Sequence, residues 1–411
     1  MRSLTLTGTV ALGVLVVAAS TVVFADPPRT GRGAPGAGLS AKEQLGKLLF
    51  FDERLSARGN QDCSDCHGLE VGWTGPIEAI DMHGAVYEGS VAGRFGARKP
   101  PSSAYASFSP ILHRDKKNGE FVGGAFWDGR ATGEKLGNPA ADQAQGPFLN
   151  PLEQALPDAA AVVKRVCSPH SGYSLLLRQV WGQGICDDVD AAFAAIARSI
   201  ERYEASREMS AFSSRFDAYL AGEAALDDQE LRGLALFRGK AGCDTCHAIV
   251  SDGNVPPLFT DFTYANLGAP KNPENPFYTQ PPAVNPLGAA FVDLGLGSFL
   301  ATRPEYASLA AENNGKHKVP TLRNVDKRPY GSFVKAYGHN GYFKSLEEMV
   351  HFYNTRAVLP TCAPGDPGEK RTCWPAPEVA DNLETAKVGN LGLTTAEERD
   401  IVAFLGTLSD R

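Results

Sequence analysis

The feature that most constrains this chain is a pattern written twice. Residues 63–67 read CSDCH, and residues 243–247 read CDTCH. Each follows the same prelude. Ser40-Ala41-Lys42-Glu43 has the pattern of a helix capping box, and the helix it opens runs into Gly46-Lys47-Leu48-Leu49-Phe50. Asp227-Asp228-Gln229-Glu230 is a similar cap, followed by Gly233-Leu234-Ala235-Leu236-Phe237. Capped helix, G-x-x-L-F and C-x-x-C-H in the same order describe an internal repeat of a domain.

The C-x-x-C-H spacing sets two thiols one helical turn apart with an imidazole directly after them. Both thiols then reach the vinyl groups of one haem while the histidine ligates its iron, which is c-type haem attachment. A zinc site needs further ligands at suitable spacing. A thioredoxin-like C-x-x-C needs no histidine and sits in a βαβ context. The reading is therefore two covalently bound c-type haems, held by Cys63, Cys66 and His67 and by Cys243, Cys246 and His247. His67 and His247 are the proximal ligands. Each iron has one further side to fill. Two strong protein ligands make an electron carrier, whereas an open or weakly filled side permits chemistry with peroxide or O₂.

The N-terminus reads as a secretory signal. Arg2 precedes the apolar run Val10–Ala19, and Val23-Phe24-Ala25 suits cleavage before Asp26. The competing reading is an uncleaved membrane anchor. No later run is apolar and long enough to span a bilayer. Export places the protein in the periplasm, and there the remaining cysteines pair locally, Cys167 with Cys186 and Cys362 with Cys373. The net charge is −7 and no basic block stands out, which argues against a nucleic-acid partner.

A Gly/Pro linker runs from Pro27 to Gly38. Further along, Phe193, Ile196, Ala197, Ile200 and Tyr203 share one helix face after Asp188 and Asp190. Thr395-Ala396-Glu397-Glu398 reads as the cap of a last helix carrying Ile401, Phe404, Leu405 and Leu408. Ser345-Leu346-Glu347-Glu348 opens a helix whose Leu346, Met349, Val350 and Tyr353 share a face. Strand-like alternation is scarce, and residues 251–298 read as long ordered loops. The expected fold is all-α, two cytochrome c-like domains joined by long loops. The boundaries are 1–25 for the signal, 26–208 for the first haem domain and 209–411 for the second.

The order of motifs resembles the bacterial dihaem cytochrome c peroxidases and the MauG-type enzymes of the same superfamily. The resemblance covers nearly all of the chain after the signal. Its carriers are CSDCH, FWDGRA (126–131), QAQGPFLNPLE (143–153), CDTCH, VPTLRNV (319–325) and GHNGYFKSLEEMVHFYN (338–354). It implies an N-terminal peroxidatic haem and a C-terminal electron-transfer haem. It makes Gln143 and Glu153 the polar pair over the peroxide site, with Gln145 a near neighbour of Gln143. A carboxylate there takes a proton from H₂O₂ and returns it to the leaving oxygen. The resemblance makes Trp127 the tryptophan between the haems, against the plainer reading of a core indole.

The resemblance also bears on the far sides of the irons. His83 lies sixteen residues after His67, the family spacing for a histidine that blocks the resting peroxidatic haem; the plainer reading is a loop histidine. Tyr353 lies fourteen residues after His339, where peroxidases carry Met and MauG-type enzymes Tyr as distal ligand. Met349, one turn earlier, is the rival ligand. The family's calcium position corresponds to Lys99, Val334 and Ala336, which leaves calcium in doubt and offers the Lys99 ammonium as positive charge in its place.

Three functions follow as expectations. The first is a periplasmic peroxidase that reduces H₂O₂ with electrons from a small c-type cytochrome or cupredoxin. The second is a MauG-like oxidase using high-valent dihaem iron to modify Trp or Tyr of a protein substrate. The third is a plain dihaem electron carrier, against which Glu153 and Gln143 argue. Homodimers are frequent among proteins of this kind.

Overall fold

Both expected caps form, and they fix the ends of two equivalent helices. The computed structural model describes residues 38–411. The signal segment 1–25 and nearly all of the Gly/Pro linker lie outside the described residues. Ser40 caps the helix Ala41–Phe50 in a full capping box with Glu43, and Asp227 caps Asp228–Arg238 in the same way with Glu230.

The two helices cross their partners identically. Ala41–Phe50 packs on the helix Val189–Glu204, and Asp228–Arg238 packs on Thr395–Gly406. At each crossing a glycine lets the backbones touch. A Cβ on Gly46 would lie 1.9 Å from the carbonyl oxygen of Ser199, and a Cβ on Gly233 would lie 1.9 Å from that of Asp400. The phenylalanine of each G-x-x-L-F then meets an aromatic ring edge-on: Phe50 with Tyr203 at 5.6 Å, and Phe237 with Phe404 at 5.2 Å.

The buried side chains fall into two main clusters. One draws on Leu45, Leu49, Phe50, Ile196, Ile200 and Tyr203 and reaches Met209; the other begins at Phe216 and includes Leu234, Phe237, Phe259, Ile401 and Phe404. A smaller third cluster gathers Leu112, Phe121, Tyr264, Leu296 and Leu300. Two short antiparallel ladders brace it, residues 113–114 against 121–122 and residues 264–265 against 317–318. The described residues are otherwise helical or in ordered loops, and none of their helices is long and apolar enough to cross a membrane.

Two caps differ in detail from the expectation. The last helix is capped by Thr394, one residue earlier than the sequence suggested, in a full box with Glu397. Thr394 and Thr395 both offer a hydroxyl, and only Thr394 stands three residues before the glutamate that bonds back. Ser345 accepts from the Glu348 amide at 3.1 Å, but the Glu348 carboxylate turns to the amide of Lys344 at 2.7 Å, so only half a box forms. The expected disulfides Cys167–Cys186 and Cys362–Cys373 are both present.

Two candidate haem cavities and the wall between them

Each C-x-x-C-H segment is a single tight turn at the edge of a cavity. Cys63–Asp65 and Cys243–Thr245 form 3₁₀ turns. The amide of His67 donates to the Cys63 carbonyl at 3.0 Å, and that of His247 to the Cys243 carbonyl at 2.9 Å. The four motif cysteines are free thiols. Burial raises the Cys63 and Cys66 thiols far above their ordinary range and pushes Cys243 up to about 12 and Cys246 up to about 11. They are neutral thiols, suited to addition across an apolar vinyl group.

The histidines are oriented as ligands. His67 Nδ1 lies 3.1 Å from the carbonyl oxygen of Trp73, and His247 Nδ1 lies 3.0 Å from that of Phe259. A carbonyl only accepts, so each Nδ1 carries the proton and each Nε2 keeps its lone pair. Burial pushes His67 down to about 4 and lowers His247 as well, so both rings stay neutral and ready to bind iron. Cysteines, imidazoles and mostly apolar walls fit a haem in each cavity.

The first cavity has a polar end. Cys63, Cys66 and His67 share its lining with Gln143, Glu153 and Arg130. Gln143 reaches it from the short helix Pro139–Ala144, whose first residue is a proline after the Asn138 cap. Gln145 does not line the cavity; it is buried and accepts from Lys135 Nζ at 2.7 Å. Glu153 sits in the turn after Gly146–Leu149, where Asn150 Nδ2 donates to its Oε1 at 2.6 Å. Burial raises the Glu153 carboxyl; nearby Arg130 and the Asn150 bond act against that shift. The guanidinium of Arg130 is held by Asp128 at 2.9 Å and lies over the Phe126 ring at 3.7 Å. Arg130 and Asn150 lie inside segments that the resemblance already marked, but nothing in their spacing set them apart.

The second cavity contains Cys243, Cys246 and His247 together with Leu346, Met349, Val350 and Tyr353, the face expected of the helix Leu346–Thr355. Burial raises the Tyr353 phenol. A phenolate there therefore needs a cation to hold it.

Trp127, Lys99 and Lys318 line both cavities and form part of their common wall. Trp127 is fixed at both ends: its Nε1 donates to the Lys99 carbonyl at 2.8 Å, and its own carbonyl accepts from the Lys318 amide at 2.9 Å. Burial pushes Lys318 down to about 7, while its Nζ donates to Ser109 Oγ at 2.6 Å. Lys318 gave no signal in the sequence beyond preceding VPTLRNV.

His83 does not reach either cavity. Its side chain is 66% exposed and its Nδ1 lies 3.2 Å from Glu274 Oε1 at the surface. At the expected calcium position the side chains supply ammonium groups. Lys99 Nζ donates to Thr74 Oγ1 and to the Pro100 carbonyl, Lys335 Nζ donates to the Asn324 carbonyl at 2.9 Å, and the amide of Ala336 donates to Asp81 at 3.1 Å. Two buried lysine amino groups beside one carboxylate do not fit a calcium ion, which takes six to eight oxygen ligands.

These features are shared with known proteins. The family model for di-haem cytochrome c peroxidase matches residues 40–225. The methylamine utilization protein MauG of Paracoccus denitrificans is 35% identical over 97% of this chain and 94% of its own length. The chain belongs to the di-haem cytochrome c peroxidase and MauG family. It is an oxidoreductase of that family, whose description names two haems. A cytochrome-c peroxidase of Denitromonas iodatirespirans, IdrP1, is 28% identical over 90% of this chain and 81% of its own. The diheme peroxidase BthA of Burkholderia thailandensis superposes with a TM-score of 0.71 at 29% identity, over 91% of this chain and 87% of that one. This family member therefore has the diheme peroxidase fold, mostly helical, as the repeat suggested.

Proposed function

We propose that the protein is a periplasmic dihaem c-type peroxidase. The reaction is H₂O₂ + 2 H⁺ + 2 e⁻ → 2 H₂O, with electrons from a small c-type cytochrome or cupredoxin. The carrying observation is the Glu153 carboxyl, paired with Gln143, on the wall of the cavity that contains Cys63, Cys66 and His67. We assign covalent attachment to Cys63 and Cys66 in one haem domain, 26–208, and to Cys243 and Cys246 in the other, 209–411. The two buried clusters, which part between Met209 and Phe216, support that division. The two disulfides support an exported protein, and residues 1–25 are the proposed signal.

The bound haem supplies the redox chemistry. The chain's residues place and move protons around it. His67 and His247 present neutral Nε2 atoms as proximal ligands. Glu153, held by Asn150, accepts the proton of incoming peroxide and delivers it to the departing oxygen, and the Gln143 amide orients the substrate. Arg130 keeps a positive charge beside the carboxyl and limits how far burial raises it. Trp127, fixed between the backbones of Lys99 and Lys318, bridges the two cavities as the electron path. His83 has no ligand role in this conformation.

A second reading has its own observation. Tyr353 lines the same cavity as Cys243, Cys246 and His247, a motif that leaves a further ligand to be supplied, and a phenolate stabilises ferric and higher states of iron. That favours a MauG-like oxidase acting on Trp or Tyr of a partner protein. Steady-state H₂O₂ turnover with a reduced small cytochrome, beside turnover without any donor but with a candidate protein substrate, separates the two. Turnover with neither overturns both and leaves an electron carrier.

A further inference from the structure

A run of aromatic rings leads from the first cavity to the surface, apart from the wall that holds Trp127. The carbonyl oxygen that faces His67 Nδ1 belongs to Trp73, so this residue is coupled to the proximal ligand through one hydrogen bond. Trp73 has φ +62°, in the left-handed region that bulky residues avoid, and the Ser103 amide fixes it there by donating to the same carbonyl at 3.0 Å. The Trp73 ring meets the Tyr203 ring edge-on at 6.3 Å. Phe50, which lines the first cavity, lies 5.9 Å from one and 5.6 Å from the other. Trp73 is 4% exposed and Tyr203 1%, and neither lines either haem cavity.

The outer end of this run is polar. The Tyr203 phenol is hydrogen-bonded to the Glu208 carboxylate, and Lys47 pairs with Glu208 at 2.6 Å where both side chains reach solvent. Core packing accounts for the two rings but not for a buried phenol aimed at a solvent-facing carboxylate. Burial raises the Tyr203 phenol and Glu208 adds to the shift, so the group is neutral and has an acceptor for its proton. A neutral phenol gives up an electron readily only when its proton leaves too, and Glu208 supplies that exit. Phe51 is exposed beside Lys47 with its ring 6.1 Å from Tyr203, so an aromatic face is presented at this point of the surface. Tyr105 lacks such an exit. It lines the first cavity, but its phenol donates to the buried Asp410 at 2.6 Å, and the Arg323 guanidinium lies 5.1 Å from its ring.

We propose that Trp73 and Tyr203 carry oxidising equivalents from the first haem to the surface, where a small phenol or hydroquinone is oxidised without a donor protein. The inference rests on the reading that the first haem reacts with peroxide. The Trp73 indole gives one electron to the peroxide-oxidised site. Tyr203 refills the indole with one electron, its O–H bond breaks, and the proton passes to Glu208. A phenol at the surface returns one electron to the Tyr203 oxygen and loses its own proton to water, and Glu208 returns the proton it held to Tyr203. Two such cycles per peroxide give H₂O₂ + 2 ArOH → 2 H₂O + 2 ArO•, the two phenol protons being those that peroxide reduction consumes.

The test mixes the haem-loaded protein with H₂O₂ in the absence of donor protein, freezes it for EPR, and follows guaiacol oxidation in parallel. The unaltered protein should give a tyrosyl signal that narrows when ring-deuterated tyrosine is incorporated. Tyr203→Phe should abolish that signal and slow guaiacol oxidation roughly tenfold or more, while cytochrome-supported H₂O₂ turnover stays unchanged. Tyr330→Phe at the surface should alter neither. Glu208→Gln, a solvent-facing change that leaves the core intact, should slow formation of the signal by a similar factor. A haem band that shifts with peroxide but yields no tyrosyl signal overturns the inference and leaves the peroxidase reading standing. So does a signal that survives Tyr203→Phe or forms as fast in Glu208→Gln. A haem band that peroxide does not shift overturns both.

Discussion

The indole Nε1 of Trp127 donates to the carbonyl oxygen of Lys99 at 2.8 Å, across the wall shared by the two cavities. That bond fixes the ring between the two sites. Trp127→Phe keeps the apolar bulk and removes the donor. Both haems should still load, and stopped-flow transfer from the second haem to the first should slow roughly tenfold or more, equivalent to about 1.4 kcal/mol in the barrier. An unchanged rate would remove Trp127 from the path.

Glu153→Gln retains the shape and loses the proton acceptor. The peroxide step should fall by about 10²–10⁴ while both haem spectra remain. The native pH profile should show an acid limb. The ionised carboxylate is the active form, and burial holds its pKa above the ordinary glutamate value of 4.5, so the rate rises with pH through that raised value. In the variant this limb should vanish; its persistence would assign the titration to another group.

Tyr353→Phe tests the ligand of the second iron. Low-temperature EPR of the ferric protein should show a high-spin and a low-spin signal, with the low-spin signal altered in the variant. Two low-spin signals indifferent to the change would refute Tyr353 and point to Met349, one turn earlier on the same face.

His83→Ala should leave the ferric spectrum and the peroxide rate unchanged, because His83 faces solvent beside Glu274. Conversion of a low-spin signal to high-spin in this variant would mean that the loop folds inward in the resting protein.

Gly233→Ala should cost about 1–3 kcal/mol, since the added methyl group meets the Asp400 backbone rather than a flexible side chain. Chemical denaturation of the haem-loaded protein measures it. Gly46→Ala should behave alike against Ser199.

Local chemistry made much of this legible. Ser40 and Asp227 cap helices because the bonds they make reach only three residues, and Cys63 to His67 fit one turn for the same reason. The face Leu346, Met349, Val350 and Tyr353 was legible because it repeats every three or four residues, whereas only the resemblance set Tyr353 apart from Met349 on it. The helix Val189–Glu204 buries the face expected of it. His83 was placed by spacing alone, and spacing does not report which way a loop turns its side chain. Asp293, His317 and His339 come from three segments with no shared pattern, so only the folded chain brings them together on the lining of the second cavity. Lys318 likewise gains its meaning from pairing opposite Tyr264 in the ladder.

The glycine crossings at Ser199 and Asp400 have a consequence for how such a chain diversifies. Gly46 and Gly233 hold the same architectural joint in each half, so each helix crossing is closed by contacts of its own. The residues hung on each scaffold are then separately adjustable. One copy carries an acid and an amide over its pocket, and the other carries a phenol. A duplicated frame with independent joints is a natural way to make two unlike electronic centres from one design.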